Sequence, residues 1–330
     1  MPSTQVTDDL NLASEWLRGG KLVAFPTETV YGLGVDATNS AAVEQLFIAK
    51  GRPSDNPLIV HIADCESWPV AARSLSPIAR RLLEAFSPGP LTVVVPKSES
   101  ISSLVTADLD SVGIRIPAHE QARELLRLTG KPIAAPSANR SGRPSCTTWR
   151  AVLEDMDGRI EGIVRGETCR VGLESTVVEC LTDLPVVLRA GSVTLEQIQQ
   201  IEPSAISVEQ LRDIDSRTKA SPGTRHAHYQ PSAKVILFEH LGELKVLSVD
   251  EQRNSALALL TRSSEDTSQC IDFGMLVAYP NLESYAQGFY ELLREADRRR
   301  LRQIFLQLAP EIAQGTALRD RQLRAAGRSS

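Results

Sequence analysis

The stretch KGRPSDNPLIVH, residues 50–61, sets the reading of this chain. A helical segment delivers Lys50 and Arg52 into a turn that bears Pro53, Asn56 and Pro57. An apolar run from Leu58 to Ile62 follows and carries His61 near its end. Lys50 and Arg52 stand two apart, so in non-helical backbone their side chains can point the same way. Two cations held together past a helix need an anion or open solvent. Phosphate is the favoured anion because Arg and Lys are its usual side-chain partners; the alternative is a solvated loop with chance charges.

Outward from this segment, helices and strands alternate irregularly. Toward the N-terminus, residues 8–18 read as a helix stopped by Gly19-Gly20, Leu22–Phe25 as a strand, and Ser40 as the cap of a helix burying Val43, Leu46 and Phe47. Beyond it, Ser76-Pro77 opens a helix in the favoured cap-then-proline order. Strands are expected at Leu91–Val95, Val112–Ile116, Pro132–Ala135, Gly162–Arg165, Ser175–Cys180 and Pro185–Arg189, with a helix around Gln121–Thr129. Thr194 and Gln197 fit a capping box. The pattern predicts an α/β (α+β-like) domain with a mixed sheet over residues 1–203. Periodicity fades through a polar, proline-bearing stretch, read as a linker over 204–232. A smaller α/β domain is expected over 233–330, with a long helix whose Tyr285, Phe289, Leu292 and Leu293 share a face.

Bulk properties narrow the class. The chain has 330 residues, with 42% hydrophobic and 23% charged residues and a net charge of -5, so it lacks the global basic field of a general nucleic-acid binder. Five scattered cysteines form no C-x-x-C pair, which argues against a disulfide framework or a structural zinc site. No apolar run reaches membrane-spanning length, the N-terminus does not read as a signal peptide, and a cytoplasmic protein is expected. There is no P-loop, no G-x-G-x-x-G fingerprint, no H-E-x-x-H and no G-x-S-x-G.

Polar groups gather instead at strand ends. PTETVYGL from Pro26 packs hydroxyls, a carboxylate and a phenol into a turn after a strand, where open α/β sheets bind ligands; a capped turn is the plain alternative. Arg115 sits inside an apolar strand and needs a carboxylate or phosphate partner, which an internal ion pair would equally supply. PSAN from Pro136 sets a hydroxyl and an amide at a strand end, suited to a nucleotide contact or to an ordinary turn. GLESTVV from Gly172 precedes a strand, and Arg189 ends the next. Lys50, Arg52, Arg115 and Arg189 together suggest a ligand with several negative charges.

PTETVYGLG, KGRPSDNPLIVHI, SPGPLTVVVP, GIRIP, APSANRSGRPS, GLESTVV, LRAGSV and SPGTRHAHYQP occur in that order along the chain. In these motifs it resembles the YrdC-like threonylcarbamoyl-AMP synthases in their long form. The resemblance implies a YrdC-type twisted mixed sheet with flanking helices, followed by a smaller Rossmann-like domain. It implies that L-threonine, bicarbonate and ATP give threonylcarbamoyl-AMP and pyrophosphate, and that a separate tRNA threonylcarbamoyl transferase complex uses the product beside the anticodon. By the same resemblance, Lys50 and Arg52 are catalytic, and with Asn56, Ser137, Asn139, Ser145, Arg189 and Tyr229 bind ATP. Thr29, His61, Arg115 and Ser175 hold threonine, and the linker loop covers the site. Mg²⁺ is expected on the ATP phosphates with no protein side chain as ligand. His61 is open to two readings, as a base or as a positioning histidine.

Departures from the family pattern lie at Thr224, Ala227 and Cys146. Two other readings compete. One is an RNA-binding module without turnover, to which the arginine-rich tail (Arg298, Arg299, Arg300, Arg302, Arg319, Arg321, Arg324) would lend weak tRNA contact; a solvated helix face explains those arginines as well. The other is a carbamoyl-adenylate step on another acceptor, as in hydrogenase maturation proteins with a similar domain.

Overall fold

A computed structural model describes residues 3–214, 229–261, 270 and 272–327. The chain divides into two compact units, one within residues 1–226 and the other over 227–330 with the short segments Gly142–Pro144 and Val171–Leu173.

The first unit is built on a mixed sheet. Its strands are β1 (Gln5–Thr7), β2 (Val23–Phe25), β3 (Gly32–Asp36), β4 (Ile59–His61), β5 (Leu91–Pro96), β6 (Ser111–Arg115), β7 (Ile133–Ala134), β8 (Gly162–Val164), β9 (Thr176–Glu179), β10 (Val186–Arg189) and β11 (Ile206–Ser207). They lie in the order β1-β8-β2-β3-β7-β4-β6-β5-β9-β10-β11. The central run alternates in direction: β7 is antiparallel to β4, β4 parallel to β6, β6 antiparallel to β5, and β5 parallel to β9. These strands are buried on both faces, which is why they read as continuous apolar runs rather than alternating ones.

The helices follow sequence cues closely. Helix α1 (Leu10–Arg18) is capped by Asp9, and α3 (Pro77–Phe86) by Ser76 with Pro77 in its first turn. The capping box at Thr194 and Gln197 opens a short helix, Leu195–Ile201. Helix α2 (Ser40–Lys50) differs in its cap. Asn39 accepts from the Ala42 N–H, while the Ser40 hydroxyl turns to Ser102 at 2.8 Å. Helix α2 ends at Gly51, whose φ of 61° is left-handed, a conformation glycine takes without steric cost.

The stretch read as a linker is partly regular. Strand β11 pairs with β10 in parallel, and a helix follows at Val208–Ile214. The sheet thus continues past residue 203. A two-residue strand and a seven-residue helix carry too little periodicity to stand out in sequence. Residues 215–228, with most of the loop expected to cover the site, lie outside the described residues.

The second unit has a four-stranded, wholly parallel sheet, β12 (Lys234–Phe238), β13 (Ser255–Leu260), β14 (Met275–Tyr279) and β15 (Gln303–Gln307), in the order β12-β15-β13-β14. The long helix Leu282–Arg298, capped by Asn281, buries Tyr285, Phe289, Leu292 and Leu293 as its period requires. The tail arginines divide: Arg298, Arg299, Arg300 and Arg302 lie on a solvated face, and Arg321 does not. Arg298 and Arg299 pair with Glu291 and Glu295, and Arg324 pairs with Asp320. Arg321 is fully buried, bonded to Asp320 at 2.5 Å and lying 5.8 Å from the Tyr229 ring. The Arg294 guanidinium is buried on the Pro144 carbonyl at 2.5 Å. An RNA backbone is held by exposed Lys and Arg, so the buried Arg294 and Arg321 are not available to one.

Candidate active site

One row of side chains crosses the middle of the large sheet. In register, His61 on β4 stands beside Arg115 on β6, and Arg115 beside Thr92 on β5. Neighbours in register project to the same face. Thr92 carries the row onward, its hydroxyl 2.8 Å from that of Ser175. Arg189 closes it by donating to the Ser175 carbonyl at 2.9 and 3.1 Å and to its hydroxyl at 3.2 Å. His61, Thr92, Arg115 and Ser175 are all buried. Gly191 keeps this end closed: a Cβ there would fall 2.3 Å from the Thr176 nitrogen and 2.6 Å from the Ser175 carbonyl carbon.

Arg115 is partly spoken for. Its Nη2 donates to Glu28 Oε1 at 2.6 Å and its Nε to the Gly89 carbonyl at 3.4 Å, and both charged groups are buried. Of the two sources of anionic partner open to Arg115 in sequence, the internal carboxylate occupies one edge of the guanidinium. Burial pushes the Glu28 carboxyl up, but Arg115 and the Ala118 N–H outweigh it and hold the group below the usual carboxylate range. Glu28 lies in the turn after β2, which Thr27 organises: its hydroxyl donates to the Val30 carbonyl at 2.6 Å and lies 2.9 Å from that of Thr29. Thr29 is fully buried beside it.

His61 is a neutral imidazole. Burial, reinforced by the Arg115 cation, pulls its pKa down to about 3. Its ring meets Phe25 edge-on at 6.0 Å, and its Nδ1 is buried without a hydrogen-bond partner. A buried ring nitrogen left unpartnered costs free energy unless a ligand completes it.

Lys50 anchors the second cluster. As the last residue of α2 it is buried, and its Nζ donates to the Ser137 carbonyl at 2.6 Å and to the Asn139 carbonyl. The Lys50 carbonyl accepts from the Ser141 N–H at 2.9 Å, so this one residue latches the whole turn after β7. Burial, then the neighbouring Arg52 cation, lowers the Lys50 pKa to about 7, against the pull of Cys146 and Asp155. Ser137 donates to Asn139 Oδ1 at 2.5 Å, and the Asn139 amide to the Arg140 carbonyl at 2.8 Å. Arg52 folds back to donate to the carbonyls of Asn56 and Pro57 at 3.2 and 3.3 Å. Ser145 donates to the buried Glu174 at 2.7 Å.

The expected site residues therefore fall into two groups within the first unit: His61, Arg115, Ser175, Arg189 and Thr29 with the β2 turn, and Lys50, Arg52, Asn56, Ser137 and Asn139 around the end of α2. Tyr229 belongs to the second unit, where it packs on Tyr290 at 5.2 Å. Sequence reasoning gave no role to Glu28, Thr92 or Glu174. Glu28 and Glu174 left a signal, each a lone carboxylate in a turn otherwise free of charge. Thr92 left none, since a threonine inside an apolar strand is an ordinary strand residue. All five cysteines are free. No helix among the described residues is long and apolar enough to cross a membrane.

Comparison with known proteins places this arrangement. A family described as "Telomere recombination" matches residues 15–191, and one described as "Threonylcarbamoyl-AMP synthase, C-terminal domain" matches 193–327. The chain is 39% identical to the threonylcarbamoyl-AMP synthase of Pyrococcus abyssi, over 96% of this chain and 94% of that one. It is 40% identical to the threonylcarbamoyl-AMP synthase of Bacillus subtilis, over 98% and 96%. The crystal structure of P. abyssi Sua5 complexed with L-threonine superposes with a TM-score of 0.86 at 36% identity, covering 98% of this chain and 97% of that one. Two domain matches in series and near-complete coverage at this identity leave one assignment: the chain belongs to the threonylcarbamoyl-AMP synthase family.

Proposed function

We propose that this chain makes L-threonylcarbamoyl-AMP from L-threonine, bicarbonate and ATP, with release of pyrophosphate. The observation that carries the reading is the buried row His61–Arg115–Thr92–Ser175, closed by the half-buried Arg189. It offers one guanidinium edge and one unpartnered imidazole nitrogen to a small zwitterion.

Arg115 would receive the threonine carboxylate on the Nη1 side of its fork, since Nε and Nη2 already have partners. His61 Nδ1, the Thr29 hydroxyl and Ser175 would meet the rest of the amino acid. Threonine's neutral amine attacks the bicarbonate carbon, water leaves with the broken C–O bond, and an oxygen of the resulting carbamate displaces pyrophosphate from the α-phosphorus of ATP. Lys50, Arg52 and Arg189 would face the phosphates, with Asn56, Ser137, Asn139 and Ser145 completing the nucleotide contacts.

This chemistry needs alignment and charge stabilisation more than proton transfer. The environment agrees, because His61 and Glu28 both have pKa values far below neutrality and are poor bases there. Of the two roles open to His61, positioning is the one its surroundings support. Among the described residues no group of His, Cys, Asp and Glu gathers as a metal site. We infer that magnesium enters on the ATP phosphates, where it would neutralise charge.

We infer that a transferase that modifies tRNA uses the product, and that the protein works in the cytoplasm. Pyrophosphate release measured with and without L-threonine and bicarbonate tests the reading. Release that requires both is expected, and threonine-independent release would overturn it.

A further inference from the structure

Arg115 presents itself to a ligand already gripped from behind. Glu28 uses both oxygens to do this: Oε1 accepts from Arg115 Nη2 at 2.6 Å, and Oε2 accepts from the Ala118 N–H at 2.9 Å, three residues further along the same segment. The Gly89 carbonyl takes Nε. One edge of the planar fork is thereby fixed at two points, and a guanidinium so held can turn only its Nη1 side to a ligand. The turn that carries Glu28 also carries Thr29, locked to it through Thr27.

We infer that Glu28 is a positioning residue for the amino-acid substrate: it fixes the Arg115 guanidinium and so sets the geometry in which the substrate carboxylate is received. This rests on the functional reading above. Two carboxylates then share one guanidinium, and Glu28 fixes the orientation in which the second is received. Orientation is what an in-line transfer to phosphorus requires. The role differs from that of a general base, because Glu28 stays ionised and its lone pairs are committed to Arg115 and Ala118.

Glu28→Asp and Glu28→Gln test it. Asp keeps the charge, so Arg115 stays paired, but it is one methylene too short to reach both Arg115 and Ala118. Gln keeps the length and loses the charge. For both we expect the KM for L-threonine to rise about ten- to hundredfold, the range a misaligned charge-assisted hydrogen bond commands. The KM for ATP should stay within about twofold, as should the inhibition constant of L-threoninamide, which lacks the carboxylate charge.

If Glu28 serves only the fold, threonine, threoninamide and ATP all weaken together, and the proposal fails. It also fails if Glu28→Asp retains the parent KM for threonine. Pyrophosphate release by the parent chain is measured first. No threonine-dependent release there would sink both readings, whereas parent activity with an unaltered Glu28→Asp KM would sink this one alone.

Discussion

With its pKa near 7, Lys50 is about half protonated at neutral pH in the ligand-free chain. Deprotonation does not break the latch, because a neutral amine keeps two N–H donors for the Ser137 and Asn139 carbonyls. Arriving phosphates supply the opposite charge that burial denied, so nucleotide binding should pull a proton onto Lys50. At pH 8 a pKa of 7 leaves the amine about nine-tenths neutral, and binding should take up about 0.9 proton. Between pH 7 and 8.5 the affinity for a nonhydrolysable ATP analogue should fall by about an order of magnitude. Titration calorimetry in buffers of different ionisation enthalpy reads both quantities. Lys50→Arg, which stays charged throughout, should flatten the profile. A parent affinity constant over pH 7–8.5, with no proton uptake, would refute the claim that Lys50 is depressed and faces the phosphates.

Three further outcomes follow from the same geometry. His61 binds no proton until about pH 3 in the folded chain but titrates near 6.5 when unfolded, so the unfolded state holds more protons between those values and stability drops as the pH is lowered through that range. From pH 6.5 to 4.5 this one group should remove about 2 kcal/mol, visible as the difference in denaturant midpoints between the parent and His61→Gln. If the two pH profiles coincide, the neutral-imidazole assignment is wrong. Gly191→Ala should press on the Ser175–Thr176 backbone, lower the melting temperature by an overpacking cost of about 1–3 kcal/mol, and cut threonine-dependent turnover; parental activity would show that the row tolerates displacement. Asp320→Ala should leave the buried Arg321 short of an anion and destabilise the second unit by about 2 kcal/mol, read by amide exchange over Leu282–Arg298; unchanged exchange would mean that Arg321 is held by its other contacts.

Elements stabilised by local signals were legible in the sequence. Ser76-Pro77, Thr194 with Gln197, and the 3.6-residue period of the long C-terminal helix each fix a segment through contacts within a few residues. Strand β3 was not legible, because Gly32-Leu33-Gly34-Val35 has glycine where a strand pattern wants branched residues. It becomes a strand through pairing with β2 on one side and β7 on the other. Strand β11 is likewise made by its neighbour β10. Lys50 and Arg52 were legible as a pair, but not the backbone carbonyls that hold them. A carbonyl acceptor has no residue signature, so a cation that would otherwise seek an anion can be satisfied without trace in the sequence.

The same distinction explains why Arg115 stood out while its partner did not. An arginine within GIRIP must be paired, and that necessity is visible in one strand. The identity of the partner is a fact of topology: β2 and β6 are separated in the sheet by β3, β7 and β4, and Glu28 reaches Arg115 only because the turn after β2 comes back over that face. The two residues are 87 apart in sequence. Each end of the pair is costly alone, since either charge buried without the other would be penalised heavily. A chain that needed only to bury this strand would place an apolar residue at 115. A buried pair that keeps both charges suits the carboxylate-receiving role proposed for Arg115 and has no use in a hydrophobic core.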